Sequence, residues 1–282
     1  MAADAPSVAL PPRRRTSLLV RARRHILTVY AAIAFAYLLL PIAVVILFSF
    51  NAPKGRFNYL WEGFTFDNWI HWDATPGIRS ALITSLEIAV LSTTLATILG
   101  TFIALAIVRH RFRGRGLTNM LIFLPMSTPE IVLGASLLTL FVNARFAQGF
   151  VTIFIAHVMF VISYIVVTVK ARLVGFDRHL EEAAMDLGAN EWTTFQKVTL
   201  PLLAPAILSA ALLGFALSID DFVVTYFNAG AETTFPLFVW GAARVAVPPQ
   251  VNVIASAIFI VALLILFVNV LWQGRRPKGS AA

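Results

Sequence analysis

The chain has no cysteine among its 282 residues, which excludes disulfides, thiolate nucleophiles and cysteine-ligated metal sites. It is also poor in charge: 13% of residues are Asp, Glu, Lys or Arg and 59% are hydrophobic, where a soluble globular chain carries about 25% charged residues. The charges are gathered into patches separated by long uncharged runs, so the apolar surface is to be buried in lipid and not around one water-excluded core. No G-x-x-x-x-G-K-[ST] sequence occurs, so any ATP that drives this protein is hydrolysed by another polypeptide. H-E-x-x-H and G-x-S-x-G are missing too, which removes the commonest hydrolase readings. No internal repeat is evident.

What is present is a set of apolar runs, each near the roughly 20 residues that cross a bilayer as a helix. They are Ile26–Phe50, Ala81–Val108, Leu117–Asn143, Phe146–Val169, Val198–Ile219 and Val245–Gly274. The expectation is an all-α integral membrane protein with six transmembrane helices. Of the 22 basic residues, all but Lys54, Arg56, Arg79, Arg145 and Arg244 fall on one side of these spans. The positive-inside rule then makes both termini cytoplasmic. Residues 1–25 and 273–282 become cytoplasmic tails, the first of them disordered, and residues 26–50 the first transmembrane helix. That first run is too long for the h-region of about 7–15 residues in a secretory signal. The basic patches lack the aromatic interleaving of a nucleic-acid module, so they read as topology signals and no nucleic-acid partner is expected.

The two longer outer loops differ. Asn51 to Ser80 is polar with Trp61, Trp69 and Trp72, and tryptophan favours the membrane–water interface. Asp220 to Gln250 is more apolar, and a partly re-entrant or surface-lying segment sheltered by protein is expected there.

The inner segment Glu181-Glu182-Ala183-Ala184-Met185-Asp186-Leu187-Gly188-Ala189-Asn190-Glu191-Trp192 reads as a short helix with acids in its first turn, which suits the helix dipole. Gly188 then permits a sharp turn. A second amphipathic run, Glu191 to Val198, leads to Pro201 in the first turn of the fifth span. Ala183 and Ala184 give the first helix a low-relief face, the form of a docking knob or of an ordinary interfacial helix.

Glu182-Ala183-Ala184, then Gly188, then Val198-Thr199-Leu200-Pro201 resembles the "EAA" loop of binding-protein-dependent ABC importer permeases, with Val198 where isoleucine is usual. The resemblance implies the type I ABC importer permease fold over residues 80–272, with the EAA loop at 181–201 docking into a groove on an ATPase subunit. Glu182, Ala183, Ala184, Gly188, Leu200 and Pro201 are then its coupling residues, Glu182 and Gly188 the foremost. It also implies the partners: two ABC ATPase subunits, a homologous second permease and an extracytoplasmic substrate-binding protein, in a bacterial inner membrane. No cofactor is bound by this chain, ATP and Mg being held by the partner ATPase. The chain itself is not an enzyme.

For the cargo, acids within spans are costly and usually functional. Glu130 lies about 13 residues into its span, near mid-membrane at ~1.5 Å per residue, after Pro125 and Pro129, which loosen the helix. Asp220 and Asp221 stand at the outer end of the fifth span, with Phe222, Tyr226 and Trp240 close in sequence. Carboxylates and ring faces together suit an organic cation. The plainer alternatives are that Asp220 and Asp221 cap a helix end in water, that Glu130 bonds to a neighbouring helix, and that Glu87 is structural or near the surface. His157 in the fourth span reads as an interhelical hydrogen-bond donor. Arg109-His110-Arg111-Phe112-Arg113-Gly114, Pro129-Glu130-Ile131-Val132, Ser218-Ile219-Asp220-Asp221-Phe222 and Val247-Pro248-Pro249-Gln250-Val251-Asn252 resemble segments of spermidine/putrescine permease subunits, nearer the second of the two in such systems. That resemblance implies polyamine import past Glu130, Asp220, Asp221, Tyr226 and Trp240. Glu130 stands where aspartate is common, and Gln250 where glutamate is common, which leaves the particular amine open. Another solute (an opine, GABA or ferric iron) carried by the same apparatus, or a secondary transporter or channel without an ATPase, are the competing readings.

Overall fold

Charge-free runs of this length form helices because only a helix pairs every backbone group within one segment in lipid. The computed structural model describes residues 18–55 and 57–274. Among them the regular secondary structure is helical apart from one isolated antiparallel bridge, Asn51 to Phe64. The helices are α1 (Leu18–Phe48), α2 (Asp67–Ile70), α3 (Ile78–Arg109), α4 (Arg115–Ser127), α5 (Glu130–Asn143), α6 (Phe150–Val174), α7 (His179–Asp186) and α8 (Glu191–Thr194). A π-helical turn (Phe195–Thr199) joins α8 to α9 (Leu200–Ile219), followed by α10 (Val223–Asn228), α11 (Phe235–Ala243) and α12 (Pro249–Gly274). The expected cytoplasmic tails lie outside the described residues except for residues 18–25 and 273–274, which are helical.

The chain divides into two units, one holding the residues up to Ile70 and from Asn252 onward, the other running from His71 to Val251. In the first, the loop after α1 is organised by asparagine side chains. Asn51 Nδ2 donates to Asn58 Oδ1 and to the Leu60 carbonyl, both at 2.7 Å. Its Oδ1 accepts from the Glu62 N–H at 2.8 Å. Asn68 Nδ2 donates to the carbonyls of Ser49 and Asn51. Phe50 stacks on Phe64 and Trp69 beside this frame. The expected polar outer loop is thus an ordered cap, its turns held by side chains because it has no strand ladder.

The second unit is built on α3, α6 and α9. Ser92, Ala96, Gly100 and Ala104 recur every fourth residue on α3 and are all buried, the small-residue seam that lets helices approach closely without a hydrophobic driving force. A Cβ on Gly100 would lie 2.8 Å from Ile165 Cγ2, and one on Gly214 2.6 Å from Val161 Cγ1. Ile165, Val161, Ala156, Ala210 and Leu203 fill the seam and are fully buried.

The segment expected as the third span, loosened by its prolines, is two helices, α4 and α5, bent by 111°. Pro129 has no N–H to donate and its ring forces Thr128 out of the helical region, so Thr128 is extended at φ −79°, ψ 131°. Pro125 is accommodated inside α4. Glu130 is therefore the first residue of α5. Among the described residues, Ile26–Phe48, Ile78–Arg109, Phe150–Val174 and Glu191–Ile219 are long and apolar enough to cross a membrane, the α4–α5 pair is a bent fifth candidate, and Pro249–Ile265 is apolar but shorter.

Residues 220–250 hold two short helices. α10 packs on α5 and α6, and α11 on α3. A Cβ at Gly134 would lie 2.7 Å from Phe227 Cδ2, so glycine lets α10 settle against α5. Thr152 Oγ1 donates to the Asn228 carbonyl at 2.8 Å, closing the end of α10. The stretch is sheltered in part: Val224, Ala229 and Phe235 are buried, whereas Tyr226, Trp240 and Val245 are exposed.

Candidate docking loop and acidic cluster

Acids at the start of α7 and a glycine past its end set the shape of the loop. The Ala189 N–H donates to the Ala184 carbonyl at 3.1 Å and the Gly188 N–H to that of Met185 at 2.9 Å, the two bonds of a Schellman turn. That turn needs a left-handed residue, and Gly188 has φ +89° with open space around it. Asn190 restarts the chain by accepting the Thr193 N–H at 2.8 Å, as an N-cap. The knob so formed turns Glu182, Ala183 and Gly188 to the exterior, with Ala184 half-buried. Leu187 at its tip is 90% exposed, and Leu180, Met185 and Trp192 are exposed around it. Leu200 and Pro201 open α9. Before α7, the Asp177 carboxylate accepts the His179 N–H and pairs with His179 Nδ1 at 2.6 Å. That bond, with the charge of Asp177 and then of Glu182, raises the His179 pKa. The same bonds lower that of Asp177.

Glu181, next to Glu182, is held inward. Its Oε1 accepts from Arg109 Nη2 and from Thr199 Oγ1, both at 2.6 Å. Arg109 also lies over the Phe176 ring, 5.2 Å from its centroid. Sequence reasoning placed Glu181 in the helix and counted Arg109 as a topology signal. Nothing in the spacing distinguished their pairing from that of any other base and acid.

At the far end of α9 the two adjacent aspartates separate. Asp221 is 8% exposed. Its Oδ2 accepts the Thr225 N–H and hydroxyl, each at 2.8 Å, and its Oδ1 accepts the Val224 N–H at 3.3 Å. His157 Nε2 is 3.4 Å from Oδ2 and 2.9 Å from Thr225 Oγ1, while Nδ1 is 2.7 Å from Ser218 Oγ. Ser218 Oγ is in turn 3.1 Å from Ser92 Oγ. A buried polar chain therefore joins α3, α9, α6 and α10, and His157 makes the interhelical bonds its position foreshadows. Asp221 caps α10 inside protein, away from water.

Asp220, by contrast, is exposed, as are Glu130 and Glu87. Asp220 lies within electrostatic range of both Asp221 and Glu130, so the fold brings the distant Glu130 near the adjacent aspartates. Beside them Phe222 packs against Tyr226 (centroids 5.6 Å apart) and Trp240 (5.1 Å). Tyr226 and Trp240 remain exposed. Arg244, which sequence reasoning left in an outer loop, lies over Trp240 at 4.8 Å. The site as a whole is an acidic cluster edged by aromatic faces, of a kind that binds cations.

Residues 96–274 match the family model "Binding-protein-dependent transport system inner membrane component". The chain is 37% identical over 238 residues to the spermidine/putrescine transport system permease protein PotC of Haemophilus influenzae, covering 84% of this chain and 92% of that protein. It is 37% identical over 247 residues to PotC of Escherichia coli strain K12, covering 87% and 93%. To the putrescine transport system permease protein PotI of the same strain it is 38% identical over 234 residues, covering 80% and 83%. In fold it is similar to a chain of a bacterial ABC transporter involved in the import of the acidic polysaccharide alginate, with a TM-score of 0.67, 18% identity and coverage of 94% and 100%. It is also similar to a chain of the bacterial alginate ABC transporter in complex with an alginate pentasaccharide-bound periplasmic protein, with a TM-score of 0.60, 17% identity and coverage of 94% and 99%.

Proposed function

Because this chain belongs to the binding-protein-dependent transport system inner membrane components, we infer that it is a permease subunit of an ATP-driven ABC importer that translocates spermidine and putrescine. It sits in the bacterial inner membrane with six spans and cytoplasmic termini, α4 and α5 forming a broken third span. A homologous permease, two ATPase subunits and an extracytoplasmic binding protein complete the transporter. The observation that carries this reading is the knob at Glu182 to Gly188. Its apolar tip is exposed while its base is bonded to the end of α3 and to the turn that leads into α9, a shape that calls for a partner subunit and is of no use to a channel standing alone. The cargo is supported by the names of its relatives and by the acids and aromatic faces around Asp220.

The chemistry is positional. ATP binding closes the ATPase pair and displaces the knobs, the core helices follow, and the cavity turns outward to receive cargo from the binding protein. A polyamine ammonium group then meets Asp220 and Glu130, with Tyr226 offering a ring face and Trp240, already covered by Arg244, edging the path. The test is co-purification and uptake. The tagged wild type should retain an ATPase subunit and take up radiolabelled spermidine, with unlabelled putrescine competing. Gly188→Asp should lose both subunit and uptake, because an aspartate at φ +89° strains the turn and adds a side chain to the docking tip. Equal retention of the ATPase by both proteins would refute the docking role.

A further inference from the structure

We propose that Glu181, the residue just before the exposed docking acid Glu182, is the joint through which the knob moves the helix core. The inference rests on the importer reading above and adds a positioning residue to it. One oxygen, Glu181 Oε1, receives Arg109 from the last residue of α3 and Thr199 from the last residue of the π-turn that leads into α9. The Arg109 and Glu181 side chains are only 13% and 17% exposed, so the pair is largely withdrawn from water and from any partner. Both bonds are short and charge-assisted, the strong kind. Arg109 is steadied by Phe176 in the connection between α6 and α7. The α7 helix is thereby bonded to α3 and to the residue that immediately precedes α9, and α3 and α9 are two of the three helices that make the packed core.

The π-turn explains why such a bond is required. Leu200 N–H reaches back to the Phe195 carbonyl, five residues away. A widened turn of this kind interrupts the regular ladder and marks points of functional flexibility. Between the knob and α9, therefore, the backbone alone is a soft connection, and a push on α8 would be absorbed there. Thr199 sits at the end of that turn and is buried. Its bond to Glu181 bypasses the soft segment and carries motion of α7 directly to the start of α9, while Arg109 carries it to α3. Glu182 engages the partner, and Glu181 delivers the movement.

The experiment uses the complete transporter in proteoliposomes with its loaded binding protein, and reads the ratio of spermidine transported to ATP hydrolysed. Glu181→Gln preserves shape but removes the charge that makes both bonds strong, so the ratio should fall about tenfold while the ATPase subunit still co-purifies and the apparent KM for the loaded binding protein is unchanged. Thr199→Val, which leaves the Arg109 pair intact, should give a smaller fall of the same kind. The exchange Arg109→Glu with Glu181→Arg should restore most of the ratio. An unchanged ratio in Glu181→Gln would overturn the joint. So would transport and hydrolysis falling in proportion, which is the mark of a merely structural residue. If Glu181→Gln fails to assemble, Thr199→Val decides by the same ratio. A wild-type complex in which hydrolysis already runs independently of uptake would overturn the importer reading itself, and the joint with it.

Discussion

Replacing Asp221 by asparagine should cost the protein stability, whereas the same change at Asp220 should cost transport alone. The Asp221 carboxylate, 8% exposed, accepts two N–H groups and a hydroxyl and lies 3.4 Å from His157 Nε2. An amide can offer only one oxygen to these donors, and its NH2 must face either Val224 or Thr225. One buried N–H is then left unpaired, at about 1–3 kcal/mol, and the surviving bonds lose their charge assistance. A net loss of about 2 kcal/mol corresponds to a melting point lower by about 4–8 °C in a domain of this size. Asp220 is exposed, so Asp220→Asn should stay within about 0.5 kcal/mol of wild type and melt within about 2 °C of it. Thermal unfolding of the purified protein in detergent, followed by tryptophan fluorescence, measures both. Spermidine uptake should show Asp220→Asn raising the apparent KM several-fold. If Asp221→Asn melts with the wild type, or Asp220→Asn melts as early as Asp221→Asn, the distinction drawn between the two residues is wrong.

Gly214→Ala should lower the melting point by several degrees, since its Cβ would lie 2.6 Å from Val161 and overpacking of a tight core costs about 1–3 kcal/mol. Gly241→Ala, with open space around it, is the control and should not destabilise; equal losses would undo the seam argument. Gly188→Asn should keep more ATPase on co-purification than Gly188→Asp, because asparagine and aspartate fare alike in the left-handed region but only aspartate adds a charge to the docking tip; the reverse order would count against the charge as the cause. The ion pair before α7 sets a pH window for the local order of that helix start. His179 is raised, so its contribution is full below the ordinary value near 6.5 and fades as pH rises through the folded one; Asp177 is lowered, so its contribution is full above the ordinary carboxylate value near 3.9 and fades on acidification. NMR titration should therefore place His179 above 6.5, and Asp177→Asn should bring it down. An unchanged midpoint would dissolve the pair.

The apolar runs were legible in the sequence because the bilayer itself imposes them. Phe150–Val174 and Ile78–Arg109 fall within a few residues of the runs expected. The family loop was legible for a similar reason: a glycine after a short helix has few roles, and Gly188 takes the left-handed one. Pro129 reads as a loosening of the third span, and the extended Thr128 before it is where the chain breaks; the size of the bend, 111°, is not recorded in any local pattern. Neighbouring acids were the harder case. Successive residues of a helix point about 100° apart, so Glu181 faces inward while Glu182 is exposed; in the link between α9 and α10, Asp221 is sealed by its bonds to Val224 and Thr225 while Asp220 is open. Which of two adjacent carboxylates is buried is decided by Arg109, Thr199 and His157, contributed from distant positions in the chain. The Arg244 stack on Trp240 is an i, i+4 pair, legible in principle, but only once residues 235–243 are known to be helical.

The two polar networks share α3 and α9. One holds Arg109 of α3 and Thr199, the residue before α9. The other holds Ser92 of α3 and Ser218 of α9. Between them α9 runs about 30 Å at its 1.5 Å rise, and the packing is apolar and close, with Gly214 against Val161 and Gly100 against Ile165. Such an interior resists compression and transmits strain, so on the joint proposed above a displacement at Thr199 is expected to reach Ser218, where directional bonds to His157 and Ser92 meet it. The melting shifts of Glu181→Gln and Asp221→Asn should therefore add, as they do for sites that share no contacts. Their effects on the coupling ratio should not add, because both substitutions interrupt one mechanical line, and the second has little left to remove.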